Sequence, residues 1–344
     1  MRTGNRKGSV ALLRVSFWMA CGVSLCIVPA WGQQSQKVNE AIRPKDYPVK
    51  FDPKWGAGVA RIGEGRLHQV DVTLLEIPPG KSLAPHRHLA EEVIYAVSGK
   101  GYTQMWLRDE EKEKKERYDW TEGDYLSPTV NAWHQHFNAS HDTPARFVSI
   151  TTAPLTENLF KSAGFLTSTE AVFEDRWKYS IVQKPQYFRT VNEGAASVRM
   201  RVGHLLPNLK NRAMEDRGEG MLGITISPEG DMAGNQLFEM EVREFKTGDS
   251  TSPEHRHAWE TFYYILKGTG SSNLQLEDKA ERKMDWAEGD LFIVEANEYH
   301  NHRPRGGPGG RFLQVKASGY FRRVGLKERG YLMQNKPGST VRLR

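Results

Sequence analysis

Residues Pro79–Gly101 read PGKSLAPHRHLAEEVIYAVSGKG, and the punctuation of this string decides the fold. His86 and His88 lie two apart in a segment of strand composition, so both imidazoles project from one face. Glu92 follows after three residues. Residues 93–98 run apolar into Gly99 and Gly101, as a strand does when it ends in a tight turn. Further on, GDYLSPTVNAWHQHFN over residues 123–138 brings His134, again in a strand setting. Three imidazoles and a carboxylate from neighbouring strands make a donor set for a borderline or hard divalent transition metal.

The string recurs as TGDSTSPEHRHAWETFYYILKGTG at residues 247–270. Val70, Val72, Leu74 and Ile77, spaced as one face of a strand, correspond to Phe238, Met240, Val242 and Phe245. His86, His88 and Gly99 correspond to His255, His257 and Gly268; DWTEGDYL from Asp119 matches DWAEGDLF from Asp285, and His134 matches His300. Self-similar halves imply two copies of one supersecondary unit. The second copy departs in two places: six residues rather than five separate Gly248 from His255, and Thr261 stands where the first copy has Glu92. Glu260 has the opposite parity, so a regular strand turns it away and leaves three histidines, whereas a bulge would turn it inward. Three histidines with open positions still hold iron, copper or zinc.

Gly80, five residues, His86-x-His88, three residues, Glu92, six residues, Gly99 resembles the first motif of the cupin superfamily, with every position filled. Gly123, ten residues, His134, three residues, Asn138 resembles the second, with Thr129 and Asn131 in place of the family's usual Pro and Gly. With the duplication, the chain is similar to a bicupin. The resemblance implies an all-β fold of two cupin (jelly-roll) β-barrels in tandem, with short helices in the connector. It also implies a metal held by His86, His88, Glu92 and His134, with His255, His257 and His300 as a second candidate set. The stretch ending Trp-His-x-His-x-Asn is similar to that of the gentisate and hydroxynaphthoate ring-cleaving bicupins, which differ in lacking a carboxylate at the Glu92 position.

The N-terminus reads separately. Arg2, Arg6, Lys7 and Arg14 precede the uncharged run VSFWMACGVSLCIVPAWG, and Ala30 and Gly32 are small residues placed for cleavage before Gln33. This is the three-part pattern of a secretory signal over residues 1–32, with export to a periplasm or the medium as its consequence. Cys21 and Cys26 leave with it, so the mature chain has no disulfide and no thiolate. Removing four leader cations from the formal charge of +6 leaves +2, which gives no reason to invoke nucleic acid or, after cleavage, a membrane.

The expected order is an extended arm at 33–60, which offers a homo-oligomer contact, a first barrel at 61–154, a connector at 155–218, a second barrel at 219–330 and a tail at 331–344. Thr156 or Thr169 is the candidate helix cap in the connector. The mixed charges of Arg108–Arg117 read as a hairpin tip. His136 and Asn138 share parity with His134, and His302 with His300, so these residues either move protons at the metal or orient a ligand. Gln104, Trp106, Tyr125 and Tyr263 are expected to line the pocket.

No phosphate-binding glycine loop at a strand–helix junction and no serine nucleophile elbow are evident, so a nucleotide cofactor is not expected. The donor set suits iron or manganese, with nickel, cobalt, copper or zinc as alternatives. The expected function is a secreted metal-dependent oxidoreductase of the dioxygenase type acting on a small organic acid or aromatic compound. An oxalate-decarboxylase-like or isomerase bicupin, or a non-catalytic ligand-binding cupin of the periplasm, is the alternative.

Overall fold

The computed structural model describes residues 40–167, 169–177, 186–192, 195–201, 203–218, 221–226, 235–246, 252–305, 309–326 and 333–337. The secretory pattern at residues 1–32 and Tyr179 of the connector lie outside them. The first half carries β1 (Lys50–Asp52), β2 (Ala57–Ile62), β3 (Asp71–Ile77), β4 (Glu92–Ser98), β5 (Lys100–Trp106), β6 (Glu116–Thr121), β7 (Tyr125–Leu126), β8 (Trp133–Asn138) and β9 (Ala145–Thr151). Then come α1 (Ala153–Phe160), α2 (Glu174–Trp177), β10 (Gln186–Asn192), β11 (Ala195–Arg201), β12 (Leu205–Leu206) and β13 (Glu215–Gly218). The second half carries β14 (Met221–Ile226), β15 (Glu239–Phe245), β16 (His255–His257), β17 (Thr261–Lys267), β18 (Thr269–Gln275), β19 (Arg282–Ala287), β20 (Leu291–Val294), β21 (Tyr299–Arg305), β22 (Arg311–Lys316), α3 (Ser318–Arg323) and β23 (Met333–Asn335).

Each half is a sandwich of two sheets. In the first, β1-β2-β3-β9-β4-β7-β12 packs over β6-β5-β8; in the second, β10-β11-β14-β15-β22-β17-β20, with β13 on β14, packs over β19-β18-β21-β16-β23. The larger sheets are buried on both faces, which is why residues 93–97 are continuously apolar. Ile94 and Ala96 face the first barrel's interior with Trp120, Leu126 and Phe147. Val93, Tyr95 and Val97 face outward and join Met240, Val242, Phe262, Tyr264 and Leu266 in one core shared by the two halves. At its centre the equivalent rings of Tyr95 and Tyr264 meet at 4.3 Å.

Two reciprocal clamps cross this core. Glu91 is buried and accepts hydrogen bonds from the backbone N–H groups of Gln236 and Leu237 and from Arg176. Its counterpart Glu260 accepts from the N–H groups of His68, Gln69 and Val70. Glu260, just before β17, therefore points out of its barrel and leaves the second candidate centre with three histidines. The arms are exchanged in the same way: Ile42 bridges to Leu291 of the second barrel, whereas β12 pairs with β7 of the first.

Several segments differ from the sequence reading. Residues 50–62, largely assigned to the arm, form β1 and β2 of the first sheet; β10, β11 and β13 from the expected connector, and β23 from the expected tail, join the sheets of the second barrel, and β12 joins the first. The first helix starts after Thr152, not Thr156; Thr169 accepts the N–H of Ala171 within a turn. Residues 107–115 form the connection between β5 and β6, with Glu116 and Arg117 of the expected tip already paired in β6. Asn131 adopts φ 57°, a left-handed conformation that asparagine tolerates, so the family's glycine is replaced without loss of the turn.

Candidate metal centres

In the first barrel His86 lies opposite His134 across a β-bridge, and Glu92 opens β4 on the same interior face. The Nδ1–H groups of His86, His88 and His134 donate to the carbonyls of Ala84 (2.9 Å), Ala90 (2.8 Å) and Ala132 (2.9 Å). With its proton fixed on Nδ1, each ring presents the Nε2 lone pair. Glu92 Oε2 lies 3.4 Å from His88 Nε2 and 3.2 Å from His134 Nε2, while Ser149 donates to Oε1. Burial alone would raise the Glu92 carboxyl, but His134 and His88 hold it well below the usual carboxylate range. Burial, then the neighbouring imidazoles, push His86 well below its ordinary value. His134 Nε2 and Glu92 Oε2 are buried without a hydrogen-bond partner. Converging lone pairs and an ionised carboxylate are what a divalent cation satisfies, so the residues fit a metal.

His136 stands in the same cluster: ligand atoms of His86, Glu92, His134 and His136 all lie within 4.8 Å of one another. Its anchoring differs, since His136 Nδ1 meets the Thr103 hydroxyl at 2.8 Å, and Thr103 Oγ1 accepts from Trp120 Nε1 at 3.1 Å. A hydroxyl both donates and accepts, so it leaves either tautomer of His136 open where a carbonyl would fix one. Burial pushes His136 down to about 3.

The second barrel repeats these bonds. Nδ1–H of His255, His257 and His300 donates to the carbonyls of Pro253 (2.7 Å), Trp259 (2.7 Å) and Glu298 (2.8 Å). Ligand atoms of the three lie within 4.8 Å of one another. Thr261 Oγ1 lies 3.5 Å from His257 Nε2, in the place of the Glu92 carboxylate. His302, Ser272 and Trp286 rebuild the second triad, with 2.8 Å and 3.0 Å bonds.

Four expected residues take other places. Asn138 donates to the carbonyls of Ile77 and Thr143 and accepts the N–H of Ser140, so its amide holds the following turn rather than serving the metal. Gln104 pairs with Gln135 and Trp106 with Trp133, whereas Thr103 and Met105 pair with His136 and His134. Directly paired residues share a face, so Gln104 and Trp106 lie outside the barrel. Tyr125 belongs to the core between the halves. Tyr263 lines a cavity of about 800 Å³ in the second barrel, with His255 and His257.

Sequence reasoning passed over His204, from the connector. It is fully buried between Tyr118 and Trp177, its Nδ1 bonds the Ser127 carbonyl at 2.7 Å, and its Nε2 is unpartnered. Only spatial proximity identifies it, because no motif surrounds it.

The cupin domain family matches this chain twice, at residues 73–151 and 241–315. The chain is a bicupin. A gentisate 1,2-dioxygenase of Haloferax sp is 23% identical over 252 residues, 67% of this bicupin and 66% of the enzyme, a little under two thirds of its length. Among solved structures, a salicylate 1,2-dioxygenase from Pseudaminobacter salicylatoxidans aligns with TM-score 0.58 and 13% identity, covering 84% of this chain and 82% of that one. An oxalate decarboxylase from Lactobacillus farciminis aligns with TM-score 0.52 and 14% identity, covering 81% and 86%. At such identities the structural likenesses establish the tandem-barrel fold.

Proposed function

We propose that this bicupin is a metal-dependent oxidoreductase of the dioxygenase type, exported from the cytoplasm, with a small organic acid or aromatic compound as substrate. The observation that carries it is the convergence of His86, His88, Glu92 and His134, of which Glu92 and His134 are buried, with the three rings held in the ligating tautomer by backbone carbonyls. The partial likeness to a gentisate dioxygenase supports the reaction class, and the leader pattern supports export. When bound, an iron or manganese ion would supply Lewis-acid and redox chemistry at its open positions. His86, His88, His134 and Glu92 would hold it, Ser149 would orient Glu92, and His136 would hold or move a proton at Nε2.

Metal analysis of the purified chain together with oxygen uptake tests this reading. Bound iron or manganese is expected, with metal affinity lower by at least ~10-fold in Glu92→Ala. Oxygen consumption is expected with members of an acid and phenol panel, and turnover that continues unchanged without oxygen would favour a decarboxylase or isomerase instead.

A further inference from the structure

The interiors of the two barrels can be compared position by position, because their strand registers coincide. Across β3, β9 and β4 the first barrel places Asp71, Thr151 and Glu92 in one row, Thr73, Ser149 and Ile94 in the next, and Leu75, Phe147 and Ala96 in the third. Across β15, β22 and β17 the second places Glu239, Lys316 and Thr261, then Glu241, Gln314 and Tyr263, then Arg243, Phe312 and Ile265. The metal-facing carboxylate has gone, and a lysine stands directly beside its vacated position. At the positions of Leu75, Ile94 and Phe147 the second barrel has Arg243, Tyr263 and Phe312, which line a cavity.

This cavity holds a surplus of polar groups. Lys316 and Arg243 both converge on one oxygen of Glu241, and Lys316 and Arg322 also reach Glu239 at the edge. Arg243 Nε, Gln314 Oε1 and Ser318 Oγ are buried without a hydrogen-bond partner; Gln314 and Ser318 are each 4% exposed. An orphaned N–H wants an acceptor and an orphaned carbonyl oxygen wants a donor. Phe245, Phe312 and Tyr263 add aromatic lining beside the charged groups. The volume of about 800 Å³ is in the range of small-molecule sites.

We propose that the second barrel's cavity is a binding site for a small hydroxy acid, whose carboxylate is held by Arg243 and Lys316 and whose hydroxyl donates to Gln314. The ligand supplies the negative charge that Glu92 supplies in the first barrel, and its apolar body lies on Phe245 and Phe312. The site is separate from the metal centre on which the proposed reaction rests, so the two readings fail independently.

Calorimetric titration of the full chain with mandelate, and with phenylacetate as the analogue lacking the hydroxyl, tests the site. Mandelate is expected to bind about tenfold more tightly than phenylacetate, the difference of one well-placed hydrogen bond. Arg243→Gln should weaken mandelate by more than ~10-fold, and Gln314→Leu should bring the two ligands to similar affinity. Glu92→Gln, in the other barrel, should leave mandelate affinity within about twofold. Thermal unfolding checks each variant, and Lys316→Gln replaces Arg243→Gln should the latter not fold. Absence of mandelate binding, unchanged binding in folded Arg243→Gln and Lys316→Gln, or loss of binding in Glu92→Gln would each overturn the proposal.

Discussion

At the residue scale, the candidate ligand histidines are oriented by their own backbone. The carbonyls of Ala84, Ala90 and Ala132 fix the proton on Nδ1, and the second barrel repeats the arrangement at the same sequence offsets. His136 is the exception, with a hydroxyl behind it. Thr103→Val is therefore expected to leave metal content nearly unchanged while lowering turnover by about 10²-fold, if His136 moves a proton. Metal analysis alongside steady-state kinetics separates those two effects. His204 makes a different prediction, because burial lowers it to about 4 from 6.5. The folded state keeps it neutral, so its contribution is complete above pH 6.5 and is lost as pH falls toward 4, amounting to about 3 kcal/mol. Urea unfolding at pH 7 and pH 4.5 should show a smaller loss in His204→Gln than in the parent.

At the element scale, each barrel keeps a slot for one tryptophan. A Cβ on Gly101 would lie 2.2 Å from the Trp120 ring, and one on Gly270 would lie 2.2 Å from the Trp286 ring. Glycine lets the indole lie flat on the strand, and from there its N–H reaches Thr103 or Ser272. The sequence shows Gly101 as a turn residue, but Gly99 takes the left-handed turn conformation at φ 80° and Gly101 sits inside β5. Gly101→Ala is expected to cost about 1–3 kcal/mol by displacing Trp120 and to disturb His136 through Thr103. Denaturation followed by tryptophan fluorescence would register both.

At the scale of the whole molecule, the largest apolar core lies between the barrels, not within either. The carboxylates of Glu91 and Glu260 close it from opposite sides, each on backbone N–H groups of the other half. Glu91→Ala leaves those donors and Arg176 without their shared partner, at a cost of about 3–5 kcal/mol. Because the halves share one core, denaturant unfolding of the parent should be a single transition for both barrels. A separate, earlier transition of one barrel would show that the shared core does not couple them.

The repeat, the all-β class and the cluster of His86, His88, Glu92 and His134 were legible in sequence, because strand parity and motif spacing are local properties of the chain. The outward turn of Glu260 was one of two readings that parity left open, and its bonds to the N–H groups of His68, Gln69 and Val70 decided it. Gln104 and Trp106 were misread because parity says which residues share a face but not which face is inside; that is set by the pairing of β5 with β8. The exchanged arms, the buried His204 and the charged wall of Arg243, Gln314 and Lys316 depend on residues distant in the chain meeting across sheets. Only the folded register brings them together, so only the tertiary structure decided that the second barrel, with Thr261 in the position of Glu92, holds a cavity lined by Arg243, Gln314 and Lys316.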